Sequence, residues 1–430
     1  MPQPKKHALT RRALLGGTVM TGAGAVLASA APALAGGGGP VNQKEIDAVA
    51  ARFDLELVAL RRRIHHRPEL AGEERRTADT VASRLRAAGL TVAGGVGGHG
   101  VVGVLEGARP GRTVAYRADM DAVPAKDQVG GGTEAAHLCG HDLHTTVGVG
   151  VAQVLARLRH RLDGRLVLFF QPAEETLSGA RAMLDDGVLE RYRPREIHAL
   201  HCGPFPVGQF AVTPGTGLPG QDRAAVVLRG PDAAERAQRL AAAINGLGTV
   251  TSPETSADFE RLIRDVQTPD GPLARFVFVR ARTGEADAEG RVKVEASYRC
   301  WPEERYVEVR DEIQRLAGQH PGHEVSFPAD PFPAMVCPER EARALERHLR
   351  RTLGPDAVTT MHAAIPFSGE DYSLFLDRLP GTYTFLGVRA PDADITESYP
   401  HLGGFVPDER AIGVGVRAMA GWLADRMSAN

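Results

Sequence analysis

The sequence predicts an α/β fold in which a larger domain is interrupted by a smaller, inserted α/β sandwich. Three observations carry this reading. Short β-type apolar runs at residues 113–118, 165–170 and 197–200 alternate with segments of helical spacing such as 145–158, and interleaved strands and helices build a largely buried sheet. The pattern changes over residues 222–327 and the first pattern then resumes. The chain beyond a predicted export signal is also longer than the about 100–200 residues of one average domain.

Taken in order, residues 1–35 read as an export signal. Lys5, Lys6, Arg11 and Arg12 precede a short stretch rich in Gly and Ala, and Ala33-Leu34-Ala35 offers small residues for cleavage. The Thr10-Arg11-Arg12 run gives the signal a twin-arginine form. The expectation is a secreted bacterial protein with no stable membrane anchor, since a glycine tract rather than stop-transfer charges follows the apolar run. Residues 41–221 form the first part of the larger domain. Ile46, Val49, Phe53, Leu57, Leu60 and Ile64 recur at helical spacing, which predicts one helix ended by Pro68. A second helix over residues 77–88 stops at Gly89, a natural C-terminal cap. The insert, residues 222–327, reads as a helix at 233–244, a strand at 276–282, an alternating strand through Val292, Val294, Ala296 and Tyr298, and a helix at 303–316. Residues 328–430 return to the larger domain, with a helix at 339–352, a strand at 381–388 and a closing helix at 409–427.

Composition narrows the function. With 43% hydrophobic and 24% charged residues the chain has the make-up of a globular enzyme, and a net charge of −2 provides no field to hold nucleic acid or acidic lipid. The cysteines Cys139, Cys202, Cys300 and Cys337 lack the close spacings of a disulfide framework, which leaves them open to chemical work.

The densest group of metal-binding side chains is His137-Leu138-Cys139-Gly140-His141-Asp142-Leu143-His144. On an extended segment Cys139 and His141 would project to one side, and Gly140 would leave room for an ion. Thiolate and imidazole together suit zinc and related ions. The alternative is a buried structural cysteine beside loop histidines. Next, Gln171-Pro172-Ala173-Glu174-Glu175 follows an apolar run, and two carboxylates beside a buried sheet must be solvated, paired or bound to a cation. With Pro172 bending the chain, one carboxylate can bind metal while its neighbour serves as a general base. An exposed loop pair is the bland version. His201 is read as closing a strand whose His198 faces the other way, and His401 lies near the C-terminus. A lone histidine in such a place is more often structural than a ligand.

The segments at residues 61–74 (RRRIHHRPELAGEE), 114–124 (VAYRADMDAVP), 137–144 (HLCGHDLH), 171–175 (QPAEE), 199–201, 368–373 (SGEDYS) and 401–409 (HLGGFVPDE) settle the order and content of the chain. Together they resemble the metal-dependent amidohydrolases typified by N-acyl-amino-acid amidohydrolases, hippurate hydrolases and auxin-conjugate hydrolases. The resemblance implies a discontinuous, zinc-peptidase-like catalytic domain with a lid-type insert, acting on an acylated amino acid or short peptide. It implies two divalent cations, zinc or manganese, held by Cys139, His141, Glu175, His201 and His401, with Cys139 bridging. Glu174 becomes the general base for the attacking water, and Asp119 and Asp142 orient ligands. Asp121, His65 and Glu69 are given structural roles.

The chain also departs from that pattern. The family's insert carries a histidine on a glycine-rich turn that reaches a neighbouring subunit's substrate, whereas here the strand ending in Leu228-Arg229-Gly230 runs straight into Pro231-Asp232 and no histidine occurs between Cys202 and His320. An Asn before an Ile-Pro pair is absent too, where residues 284–291 read GEADAEGR. Arg299 matches the family's arginine and is the candidate substrate-binding residue. The missing turn weakens the inference of a homodimer through the insert and admits a rival, a non-catalytic metal-loaded binding protein of the same fold. An intact Glu174 argues against that rival.

Overall fold

The computed structural model describes residues 41–428, so the predicted export signal lies outside the described residues. An eight-stranded mixed sheet forms the body, in the order Thr91–Val96, Gly100–Glu106, Asp163–Gln171, Arg109–Asp119, Glu196–Pro206, Gly381–Arg389, Phe210–Val212, Val358–Thr360. Its centre is parallel: Arg109–Asp119 pairs with Asp163–Gln171 and with Glu196–Pro206, which pairs in turn with Gly381–Arg389. Glu196–Pro206 and Gly381–Arg389 are almost unbroken buried runs, and Arg109–Asp119 and Asp163–Gln171 are buried through their last six residues, as expected of strands covered on both faces. One face packs on His141–Leu158, Asp54–His65 and Arg410–Ser428 through a cluster that includes Leu57, Val147, Phe170 and Val416. The other is closed by Phe169, Met183, Phe375 and their neighbours. Parallel strands bring their carboxyl ends to one edge, where loops build binding sites.

A second, four-stranded antiparallel sheet has the order Glu324–Ser326, Asp222–Leu228, Val292–Trp301, Phe276–Ala286. Val292, Val294, Ala296, Tyr298 and Cys300 alternate toward the helices Ala233–Asn245 and Tyr306–Ala317 and share one apolar cluster with them. Among the described residues, the opposite face carries no helix of its own.

Three local expectations are corrected. The predicted helix over residues 41–66 is two helices, Gln43–Ala50 and Asp54–His65. The chain turns at residues 51–53 so that each piece lays its apolar stripe on the helices His141–Leu158 and Arg410–Ser428. His201 does not close its strand, because hydrogen bonding to Gly381–Arg389 carries Glu196–Pro206 five residues further. The segment around Cys139 is not extended: Gly140, at φ +91°, caps a helix whose first residue is His141.

The sequence reading also missed the helix Ser256–Val266, although Thr255 and Asp258 form a capping box and Phe259, Leu262, Ile263 and Val266 follow at helical spacing. This helix leaves the insert and joins the body's apolar cluster beside Met361, Ala363 and Ile395. The Phe259 ring meets Tyr399, Glu260 pairs with Arg389, and the carbonyl of Val266 accepts from the backbone N–H of His362. Phe259→Ala is therefore expected to lower stability by about 3–5 kcal/mol, the usual cost of emptying a buried aromatic site. Chemical denaturation checks this, and an unchanged midpoint would mean that the helix contributes nothing to the body's core.

Candidate metal centre

The site is built where the central strands end. Gly140 permits the left-handed turn into the helix, and any larger residue there would drive its Cβ into the Cys202 sulfur. The turn places Cys139 at a helix N-terminus and sends the His141 ring toward the strand ends. His141 Nδ1 donates to the carbonyl oxygen of Asp121 at 3.0 Å, with Asp121 Oδ1 at 3.2 Å. That fixes the tautomer and turns Nε2 inward, where it lies 3.7 Å from Glu174 Oε2, 3.8 Å from Glu175 Oε1 and 3.8 Å from Asp119 Oδ2. His201 Nδ1 likewise donates to the Cys202 carbonyl at 2.7 Å, which leaves its Nε2 free. His401, itself in a left-handed conformation at φ +69°, brings Nε2 to 3.4 Å from Glu175 Oε1.

The acidic pair is parted by backbone conformation. Ala173 sits at φ +53°, and its N–H donates 2.8 Å to Glu74 Oε1, a buried carboxylate. Glu175 N–H donates 2.9 Å to Asp121 Oδ2. The bend assigned to Pro172 from the sequence is therefore carried by Ala173. As a result Glu175 gathers with Cys139 and His141, while Glu174 gathers with Glu370 and Asp371, each set of ligand atoms lying within 4.8 Å of one another.

Electrostatics separates the two carboxyls further. Burial pushes Glu174 well above the ordinary carboxylate range, and the charges of Glu370 and Glu175 add to the push. Burial acts on Glu175 in the same direction, but the His401 and His141 rings overcome it and hold this carboxyl down at about 2. Burial also pushes the Cys139 thiol up despite the His141 ring beside it. A bound cation would reverse that preference.

Not every nearby histidine is a donor to a cation. The His144 ring is buried against His201, but its Nδ1 lies 2.7 Å from Asp119 Oδ1 and its Nε2 accepts the Cys202 N–H at 2.8 Å. Both nitrogens are engaged, so His144 is structural even though it lies within reach of His141 and His201. Asp142, read from the sequence as orienting a ligand, instead faces Arg61 at 2.7 Å and His65 at 2.9 Å. Asp121, read as structural, holds both His141 and the Glu175 backbone. The remaining donors fit a divalent cation: imidazole Nε2 atoms, a thiol and a carboxylate converge, and Glu175 Oε1 is a buried acceptor without a hydrogen-bond partner.

The sequence profile of Peptidase family M20/M25/M40 matches residues 115–425, a span that holds Cys139, His141, Glu174, Glu175, His201 and His401. The chain belongs to this family. A Synechocystis protein named as a hydrolase is 30% identical over 86% of this chain and 96% of its own length. Thermostable carboxypeptidase 1 of Saccharolobus solfataricus is 29% identical over 85% of this chain and 93% of its own. The Bacillus subtilis YXEP protein, described as a dinuclear metal binding peptidase from the M20 family, superposes with a TM-score of 0.65 at 25% identity, covering 88% of this chain and 99% of that one. This member of the M20/M25/M40 family is thus a metal-dependent amide hydrolase whose cofactors are divalent metal ions.

In this M20 chain the insert also reaches the site. Arg299 donates to Gln221 Oε1 at 3.2 Å, and its guanidinium lies so close to Gly369 that a Cβ there would collide with it. Burial pushes Arg299 down to about 10, with Glu174 pulling the other way. A group that orients a ligand and the neighbouring backbone at once should matter for metal retention. Asp121→Ala is expected to weaken metal binding by about 10–100-fold, the usual effect of losing a partner behind a ligand. Competition with a chelator measures it, and unchanged affinity would remove Asp121 from that role.

Proposed function

We propose that the chain cleaves the amide bond of a small N-acyl amino acid or short peptide, using two divalent cations, zinc or manganese, and Glu174 as general base. The observation that carries this reading is the parting of the acidic pair at Ala173, which gives Glu175 to the Cys139–His141 group and Glu174 to the Glu370–Asp371 group. Cys139, His141, Glu175, His201 and His401 would hold the cations. When bound, these supply Lewis-acid polarisation of a carbonyl and a water acidic enough to lose its proton near neutral pH.

The protein's own part is proton transfer and positioning. Glu174 takes the proton of the attacking water at a carboxylate oxygen and returns it to the leaving amine nitrogen. Glu174 is buried beside Glu370 and Asp371, which keeps it out of bulk water. Arg299 binds the substrate's carboxylate, since its guanidinium faces the site without a carboxylate of its own within ion-pair distance among the described residues. The relatives named N-acetyldiaminopimelate deacetylase and thermostable carboxypeptidase support this substrate class. We also propose that residues 222–327 act as a lid-type domain and that residues 1–35 direct export.

Amine release from pooled N-acyl amino acids, with zinc or manganese supplied, tests the reading. Glu174→Gln is expected to lower kcat by about 10²–10⁴-fold, the usual share of a general acid–base, with metal content unchanged. A fully metal-loaded protein that releases no amine would instead be a metal-loaded binding protein.

A further inference from the structure

The uncovered face of the insert's sheet carries arginines in an arrangement that packing does not require. Arg223, Ser297 and Arg280 stand in one row, because Ser297 pairs with Arg223 on one side and with Arg280 on the other. Arg223 and Arg280 are exposed. The next row toward the body holds Arg299 opposite Phe278. That row meets the body directly: the Phe278 ring packs edge-on against Phe367 at 4.9 Å, and Arg299 abuts Gly369, the residue before Glu370. The rows are joined by hydrogen bonds from Gln221 Nε2 to Ser297 Oγ at 2.9 Å and from Arg299 to Gln221 Oε1 at 3.2 Å.

Most arginines of the insert are paired with a carboxylate; on this face of the sheet, three are not. Elsewhere in the insert Arg282 pairs with Glu295, Arg291 with Asp287 and Arg310 with Asp222. No carboxylate of the described residues lies within ion-pair distance of Arg223, Arg280 or Arg299. Arg280 donates to Ser252 Oγ at 2.9 Å and lies over the Phe278 ring, both neutral partners. Strand spacing puts Arg223 and Arg280 about 10 Å apart across Ser297, and the row about 7 Å from Arg299. Three cations this close repel one another, and an anion placed among them relieves the repulsion while gaining charge-assisted hydrogen bonds.

We propose that the Arg223–Ser297–Arg280 row binds a second anionic group of the substrate, so that the preferred substrate is a dicarboxylate. This rests on the reading that Arg299 takes the first carboxylate of an N-acyl amino acid. Two sources offer the same chemistry: an acidic amino acid side chain, or an acyl group that ends in a carboxylate.

The test is calorimetric binding to metal-loaded protein carrying Glu174→Gln, so that ligand is not consumed. The ligands are N-acetylglutamine, N-acetylglutamate and N-succinylglutamine. At least one dianion is expected to bind about tenfold or more tightly than N-acetylglutamine, as charged hydrogen bonds do; which one does so identifies the end that carries the charge. Arg223→Gln and Arg280→Gln should each reduce that advantage, Arg223→Lys should keep part of it, and Arg282→Gln, on the same face but paired, should keep it whole. Equal binding of all three ligands, or an advantage that survives loss of both arginines, overturns the proposal. Amine release from N-acetylglutamine by the unsubstituted protein tests the underlying amidohydrolase reading separately, because that ligand carries only one carboxylate.

Discussion

Arg117 is the group on which the site depends. Its side chain is fully buried, and its guanidinium meets Gln171 at 2.9 Å, Asp119 at 2.5 Å, Glu370 at 2.9 Å and Asp371 at 3.2 Å. One cation thus ties together the ends of two central strands and the loop after residue 368. The three carboxylates in turn reach outward: Asp119 to His144, Asp371 to the Ala180 N–H, and Glu370 to the Tyr383 hydroxyl. Charges buried this deeply are costly unless paired and hydrogen-bonded on every side, and here the pairing fixes the frame in which Glu174 sits. The acidity of the neighbourhood and the position of Glu174 are therefore the same structural fact.

A second constraint acts through backbone. Ala173 and Leu177 both adopt left-handed conformations that non-glycine residues rarely take. The loop between them is closed on itself, with the N–H groups of Ser178 and Gly179 directed to the Ala173 carbonyl. Glu74, Asp121 and Asp371 hold the Ala173, Glu175 and Ala180 N–H groups from three different parts of the chain. Strain of about 1–3 kcal/mol at each left-handed residue is sustained because the surroundings over-determine the turn. What this secures is the divergence of two sequence-adjacent carboxyls, which an extended strand would also send to opposite faces but without turning both into one cleft.

The donor types were legible in the sequence because metal chemistry restricts them to a few side chains, and these stand out beside apolar strands. The large sheet was legible for the same reason that it is stable, since strands covered on both faces must be apolar throughout. Arg117 went unread because its carboxylate partners Glu370 and Asp371 lie 253 and 254 residues away. The pattern Arg117-Ala118-Asp119 held a usable signal, as two charges of period two in a buried strand must find partners on one face. His144 escaped assignment because only tertiary contacts at both nitrogens show that it is not a donor to metal. The exchange of roles between Asp121 and Asp142 has the same origin. Asp142 follows a candidate ligand in sequence, but the helix beginning at His141 rotates it toward Arg61.

The helix Ser256–Val266 connects these points to the insert. The insert's own core, with Leu228, Ile244, Tyr298 and Ile313, is separate from the apolar cluster of the body. Besides the strand contacts at Phe278 and Arg299, Leu273 and Phe276 of the insert enter the body's cluster and Trp301 packs against it. The helix adds a buried apolar side of four residues, and backbone hydrogen bonds tie its C-terminal carbonyl to the loop that leads through Phe367 to Glu370. The segment that supports Glu174 from one side is therefore bound to the insert on the other. An arginine on the insert's sheet can then be held against that loop by packing within one chain. The side chains that would read a substrate and the carboxyl that would act on it share a single continuous support.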